Sequence, residues 1–515
     1  MNSLRTTILL LFSAIALQAQ QLLPKGNLNF GEVLELKNSL LTSSNPAAIH
    51  YNTIDTISIA EIDYSLSDGN YKAAMSAKQS HQAKLFTESY RRFKKTMLYG
   101  AFTFAKEWHW EQNYTNNYSP YRGTPYLFGD SIGGDLTDKE QDQLHAKVAH
   151  NFDEKIILGA EADYKVGLAS QNRDPRAKNK VTSLHTNIGL MTNGKNIKVG
   201  INGFYDYYNE DIDINIVREN TFHSLLSMKG LGVFEGHQST TFARLYKANS
   251  YGGAAQLKTY GNILEVGIKN SKEMVYDGRA NNNATWSAIK TDSELGSGEL
   301  FINDVYTITI DKFIHRIFLN AKLSKYAGTE YLQELVKIDD KYDTYQWKTI
   351  FEEKKYLKQM NEIALGYTFA KFYSENVRNY SINAEIKYNS LDEKYNYMNS
   401  GLNYSNMNFN IKGSKLIRLK QHRIDCHTNI SYRYNLQNSY NSKVANFATK
   451  NITLPDFKYN TADFLQAGIG LDYTYTGAKK LSYFASINYA SQYAFNYHID
   501  NNRRNFCNVK IGVLF

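Results

Sequence analysis

The stretch Leu465-Gln466-Ala467-Gly468-Ile469-Gly470-Leu471-Asp472-Tyr473-Thr474-Tyr475 puts an apolar side chain at every odd position and a polar residue or glycine at every even one. Successive side chains of an extended chain point to opposite faces, so this is a strand with one apolar and one polar side. After Gly477-Ala478-Lys479-Lys480 the pattern returns, with Leu481, Tyr483, Ala485, Ile487, Tyr489 and Tyr493 set against Ser482, Ser486, Asn488 and Gln492. The last strand sets Cys507, Val509, Ile511, Val513 and Phe515 against Asn508, Lys510 and Gly512. These runs last about 10 to 13 residues, roughly twice the soluble mean, and a tilted strand crosses a bilayer in ~9–11.

The same alternation recurs upstream. Ile424, Cys426, Thr428, Ile430, Tyr432 and Tyr434 oppose Asp425, His427, Asn429, Ser431 and Arg433, and Tyr380, Ile382, Ala384, Ile386 and Tyr388 oppose Ser381, Asn383, Glu385, Lys387 and Asn389. Charges confined to one phase belong in a wet lumen, which nominates Asp425, His427, Arg433, Glu385, Lys387, Asp472, Lys510 and, in a weaker strand, His145 as lumen-facing. Weaker segments begin at Ile57, and roughly 16 to 19 candidate strands can be counted. Single-chain bacterial barrels use even numbers, which leaves 14, 16 or 18. The predicted fold is all-β: a transmembrane antiparallel β-barrel over residues 51–515, preceded by a short lumenal or periplasmic segment over 20–50.

Composition agrees. Forty Tyr and 26 Phe stand beside six Pro and two Cys, and the mean hydropathy is −0.50. A barrel has a polar lumen, polar loops and aromatic girdles, so its average is polar although its outer face is not. Apart from the N-terminal region no run reaches the ~18 apolar residues of a helical span. Residues 1–19, with Arg5, an apolar run from Ile8 to Leu17 and Ala19, read as a cleaved secretory signal. Cys426 and Cys507 both lie in the apolar phase, so no disulfide framework is expected. The formal charge of +9 is dispersed, with no basic stripe, and nucleic acid is not an expected partner.

Asn193-Gly194 is expected to form a two-residue hairpin turn. Long polar loops are expected over 107–143, 210–251, 326–360 and 435–463, and residues 31–48 have the spacing of a short helix inside the lumen. Trp108-His109-Trp110 reads as an interface anchor just past a strand end. The acidic run Asp130, Asp135, Asp138, Glu140 and Asp142 reads as a solvated loop without calcium-loop spacing. Gly189 to Lys195 has phosphate-loop spacing, but Asn196 replaces the magnesium-binding hydroxyl and no helix follows. No catalytic constellation and no zinc-ligand spacing stands out among the twelve His, so neither a catalytic residue, a metal nor a cofactor is assigned.

Two resemblances can be named. Ser44-Asn45-Pro46-Ala47-Ala48 resembles the start of long-chain fatty acid transporter-type barrels. More extensively, Gly133-Gly134-Asp135 and Arg173-Asp174-Pro175-Arg176 with Lys178-Asn179 resemble an uncharacterised outer-membrane barrel family of Bacteroidota, over most of the chain. That resemblance implies a barrel and carries no catalytic residues. Asp174-Pro175 is a good turn former, with Arg173 and Arg176 as loop anchors through carboxylates.

The expected function is solute transport or an accessory role in an outer-membrane uptake complex; the alternatives are a surface barrel binding a partner protein and a hydrophobic-compound channel, with no enzymatic role. Expected partners are outer-membrane lipid and lipopolysaccharide, the barrel assembly machinery through the C-terminal strand, and a TonB-dependent uptake complex. N-terminal sequencing of the exported protein should start within a few residues of Gln20; an exported chain that retains Met1 would remove the signal from this reading.

Overall fold

The computed structural model describes residues 30–132, 136–217, 224–278, 289–339, 344–374, 377–477, 481–497 and 502–515. The signal segment 1–19 and Gly133-Gly134-Asp135 lie outside the described residues. A helix α1 (Phe30–Lys37) and two 3-10 turns (Ser39–Thr42 and Pro46–Tyr51) precede the strands. The strands are β1 (Thr56–Gly69), β2 (Gln79–Phe93), β3 (Thr96–Trp110), β4 (Phe128–Asp130), β5 (Leu136–Phe152), β6 (Ile156–Gln171) and β7 (Lys178–Thr192). They continue with β8 (Ile197–Asn215), β9 (Ser224–Gly230), β10 (Val233–Gln238), β11 (Thr241–Thr259), β12 (Asn262–Asp277), β13 (Lys290–Ile310) and β14 (Phe313–Asp339). The rest are β15 (Thr344–Ser374), β16 (Val377–Tyr395), β17 (Ser400–Leu419), β18 (His422–Asn441), β19 (Phe464–Thr476), β20 (Ser482–Ala494) and β21 (Arg503–Leu514), with helix α2 (Leu454–Thr461) before β19.

Eighteen of these strands form one closed antiparallel barrel, and β4, β9 and β10 form a separate three-stranded sheet. Each barrel strand pairs with the next barrel strand in the chain. The ring closes where β1 meets β21, with Ile62 opposite Ile511 and Tyr64 opposite Val509. Phe515 extends the seam, its N–H donating to Ser58 O at 3.0 Å and its carbonyl accepting from Ser58 N at 2.8 Å. The barrel is thus at the upper end of the expected strand range. No described helix is long and apolar enough to cross a membrane, a statement that leaves strands untouched.

The two parities of each strand have opposite surroundings. Ile469 is 67% exposed and Ile188 63%, and with Ile62, Ile201, Ile268, Ile411 and Ile511 they make an outer surface of unshielded aliphatic side chains. Water would not tolerate so extensive an apolar surface on a monomer. The opposite parity carries the charges. At one end of the barrel the connections are short, and Lys94, Asp153, Glu154, Tyr260, Asp311 and Lys420 adopt positive φ there, as tight hairpins with right-handed strand twist require. Asn193-Gly194 departs from expectation: the β7–β8 connection takes four residues, 193–196, and neither residue has positive φ.

Several expected loops are strand. The segment 326–360 belongs mostly to β14 and β15, whose residues beyond Glu330 and before Tyr356 pair with each other but with neither β13 nor β16. Such a ribbon meets the same solvent on both faces, so no alternation records it. Asp138, Glu140 and Asp142 lie on β5, where Lys106 of β3 pairs with Glu140 at 2.7 Å. Trp108-His109-Trp110 is the final part of β3 rather than a segment past its end.

The N-terminal segment docks inside the barrel at the short-turn end. Leu40, Ala47, Ala48 and Ile49 pack on inward Met97, Ala149, Ile157, Met191, Ile263 and Val305. The approach is backbone to backbone. A β-carbon at Gly159 of β6 would collide with the backbone of Ala47, and one at Gly189 of β7 with the Asn45 carboxamide. We expect Gly159→Val to release residues 30–52 to added protease while the barrel keeps its heat-dependent migration on a detergent gel. Unchanged protection would show that the segment is held elsewhere.

Candidate functional site in the barrel lumen

An 18-stranded ring is too wide for wall side chains to fill, and here the chain itself fills the two ends. At the short-turn end Asn45 serves two elements at once. Its Oδ1 accepts from Ala47 N at 3.0 Å, capping the 3-10 turn, while its Nδ2 lies 3.0 Å from Leu190 O, 3.1 Å from Ile201 O and 2.9 Å from Gln256 Oε1. Ser44 donates to Glu265 Oε1 through N (2.9 Å) and Oγ (2.5 Å), and Lys258 Nζ donates to Ser39 Oγ at 2.7 Å. On α1, Glu32 pairs with Arg378 of β16 at 3.0 Å. Burial pushes the Glu35 carboxyl up, against the pull of Arg316.

At the long-loop end, three connections fold inward instead of standing out from the rim. The β4–β9–β10 sheet packs Phe128, Leu225 and Leu231 against inward Ile212, Tyr246, Val275 and Tyr356. Fully buried Arg244 ties the sheet to the wall, donating to Ser227 Oγ of β9 (2.8 Å), Asp277 (2.7 Å) and Asp292 (2.8 Å). Lys229 of β9 also pairs with Asp292. The β3–β5 connection brings in Arg122, which pairs with Glu273 and approaches Glu210 at 3.8 Å while lying over the Tyr208 and Tyr246 rings. Glu210 also accepts from Tyr118 N at 2.6 Å. Deleting one member of such a buried pair typically costs roughly 3–5 kcal/mol, because the other charge is stranded.

A third group joins α2 to the other inward connections. Asp456 Oδ1 accepts from Ala74 N at 2.7 Å and from the Tyr121 hydroxyl at 3.0 Å, and that hydroxyl accepts from Met75 N at 2.8 Å. Burial pushes the Asp456 carboxyl up to about 6 despite these donors and Lys72 nearby. Burial likewise pulls the Lys72 ammonium down to about 8.

The structure places the candidate residues as follows. Asp425, His427 and Asp472 stand together: Arg378 donates to Asp425 at 3.3 Å, and His427 Nδ1 lies 3.8 Å from Asp472. His427 Nε2 contacts Asn488 Oδ1 at 2.5 Å. Asn488 Nδ2 reaches Asn508 Oδ1 at 3.4 Å, and Asn508 Nδ2 donates to Asp63 at 2.7 Å. Lys510 Nζ lies 3.5 Å from Asp63 and 3.6 Å from Glu61. One polar chain therefore links Lys510 to Asp472, and Asp425, opposite Asp472 in the ladder, is joined through Arg378 to Glu32 on the N-terminal segment. His145 pairs with Glu161 at 2.8 Å, Lys387 with Glu362 at 2.8 Å, and Asn410 donates to Glu385 at 3.0 Å, all away from that chain. Arg433 holds the outer closure, donating to Ala462 O, Tyr459 O and the Tyr71 hydroxyl. Arg176 pairs with Asp174 at 2.9 Å across a cis Asp174-Pro175 bond, and Arg173 supplies its carbonyl to Arg176 N.

Sequence reading missed the Arg244, Asp277, Asp292 and Lys229 group and the Arg122, Glu210 and Glu273 group, because Arg122, Glu210, Lys229 and Arg244 fall in 107–143 and 210–251, which read as loops, and Glu273, Asp277 and Asp292 lie outside the clearly alternating runs. The shared phase of Arg244 and Tyr246 was the signal available. Between the closures, cavities remain. One of about 430 Å³ is lined by Gln82, Glu107, His109, His427, Asn488 and Asn508 among others. A second of about 520 Å³ shares Ser80 and His109 with it. A third of about 480 Å³ lies by Asp456 and Tyr356. No group of three metal-ligating side chains occurs among the described residues.

Solved structures similar to the chain include the ferric preacinetobactin receptor BauA of Acinetobacter baumannii (9% identity, 88% of this chain and 80% of that one, TM-score 0.40). The RagAB peptide importer (6%, 90% and 87%, 0.40) and a FadL homologue of Pseudomonas aeruginosa (10%, 92% and 92%, 0.33) are others. No curated protein matches the chain in sequence. The sequence profile of a family of unknown function matches residues 46–515, which takes in every strand from β1 to β21. The chain therefore belongs to the family of unknown function DUF6850.

Proposed function

We propose that the chain is an outer-membrane barrel of a Gram-negative cell that passes a polar solute through its lumen, under the control of its two closures. The observation that carries this reading is the state of the lumen: its ends are filled by the chain, yet cavities of about 430 and 520 Å³ that present charged and amide side chains lie within it. A structural plug has no use for such a chamber. The ion pairs along the inward phase, such as Lys84 with Asp63 and Lys387 with Glu362, argue against a channel for hydrophobic compounds. The reading assigns no catalytic step. The short-turn end, where both described chain ends enter the wall, is the periplasmic one, as expected of outer-membrane barrels.

A second reading, a barrel that binds a partner protein, draws on the β14–β15 ribbon. It runs about 30 Å past its neighbours at ~3.3 Å per residue, with Leu332, Ile350 and Phe351 more than half exposed. The TonB-dependent uptake complex remains the candidate partner.

Proteoliposomes holding the full chain should show arabinose flux above empty vesicles, and Gly159→Val should raise it. No flux from either protein, with a partner co-purifying from membranes, would replace transport by the second reading.

The outer closure should respond to pH. Since the folded Asp456 carboxyl titrates near 6 against an ordinary 3.8, its protonation favours the closed loops. That stabilisation is complete below about pH 4 and lost as pH rises through about 6. Proteolysis within residues 442–463 should quicken from pH 4 to 7, after correction for the protease, and Asp456→Asn should remove that component. An unaltered profile in Asp456→Asn would assign the response to another group.

A further inference from the structure

The 520 Å³ cavity differs from the rest of the lumen in its charge. Arg122, Lys139 and Arg504 line it together with His109, and its lining contains neither Asp nor Glu. Many inward cations elsewhere meet carboxylates, as Lys84, Lys147, Lys387, Lys510 and Arg378 do, although Lys258 donates to Ser39 Oγ and Arg423 has two buried nitrogens without an acceptor. Lys139 is 7% exposed and donates to a neutral acceptor, Tyr118 O, at 2.7 Å. Arg504 donates to Ala77 O at 3.1 Å and Ser67 Oγ at 2.9 Å. Among the described residues neither cation has a carboxylate within ion-pair distance. Arg122 does have carboxylate partners, but its Nη2 is buried without a hydrogen-bond acceptor.

Burying cations beside neutral acceptors is costly, and the gathering of Lys139 and Arg504 with Arg122 around one cavity leaves a place for an anion that arrives from outside. We propose that this cavity is a binding subsite for the oxyanion group, carboxylate or phosphate, of a polar solute. The inference rests on the transport reading above. Arginine supplies the planar fork that matches an oxyanion, and lysine a compact charge beside it. The adjoining 430 Å³ cavity, which shares Ser80 and His109, offers the amides of Gln82, Asn488 and Asn508 and the ring of Phe506. Those groups suit a hydrogen-bonding, ring-bearing body attached to the anion.

The test is calorimetry on the full-length protein in detergent at low ionic strength, with glucose, glucuronate and inorganic phosphate as probes. Glucuronate should bind at least tenfold more tightly than glucose, and added sodium chloride should weaken it. Inorganic phosphate should compete with it. Arg504→Gln should weaken glucuronate binding roughly tenfold or more, and Lys139→Gln likewise, each protein keeping its heat-dependent migration. Should Lys139→Gln fail to fold, Arg504→Gln decides. Equal binding of glucose and glucuronate, no binding of either anion, or full affinity in Arg504→Gln would overturn the subsite. Arabinose flux separates the two readings: flux with no anion preference sinks only the subsite, and glucuronate binding without flux sinks only transport.

Discussion

Backbone hydrogen bonding without water is the constraint on which this structure depends. A strand in hydrocarbon can satisfy its N–H and C=O groups only through neighbouring strands, so the sheet must return to its own first edge. Here the return is made by β21 on β1 and extended by the reciprocal bonds of Phe515 and Ser58. Closure then dictates the rest. One parity of every strand faces outward and must be apolar, which is why Ile469 and Ile188 stand unshielded. The other parity must take the charges and satisfy them within the lumen.

The two closures answer that demand by different physics. The N-terminal segment fits by close approach, its backbone lying where Gly159 and Gly189 have no side chain, with Asn45 and Ser44 bonded into the wall. The outer closure is ionic. Arg244 sits between Asp277 and Asp292, and Arg122 between Glu210 and Glu273, all drawn from water by the β4–β9–β10 sheet. A buried carboxyl such as Asp456 makes the second kind titratable, and the first kind adds charged groups of its own, Glu35 and the Glu32–Arg378 pair. In the basic cavity beside them Lys139 and Arg504 donate to neutral acceptors instead.

Legibility in the sequence followed the membrane. Where a strand separates lipid from lumen, as in 465–475 or 424–434, alternation is plain and the polar phase names Asp425, His427 and Asp472. Where strands run beyond that boundary, as in the outer parts of β14 and β15, both faces meet similar surroundings and the pattern dissolves into an apparent loop. Arg244 and Glu210 lie on strand ends covered by the inner sheet and connections, and Arg122 lies in the β3–β5 connection itself. Each ion pair there also joins residues far apart in the chain, as Arg122 and Glu273 are, and no local pattern connects them.

By itself, then, the sequence determined the barrel, the orientation of its central strand faces and the polar character of its interior, because these follow from a period of two imposed residue by residue. Only the tertiary structure decided that there are 18 strands, that the N-terminal segment and three inward connections fill the ends, and which charges meet. Those outcomes depend on ring circumference and on contacts between distant segments, and neither is encoded in any short window of the chain.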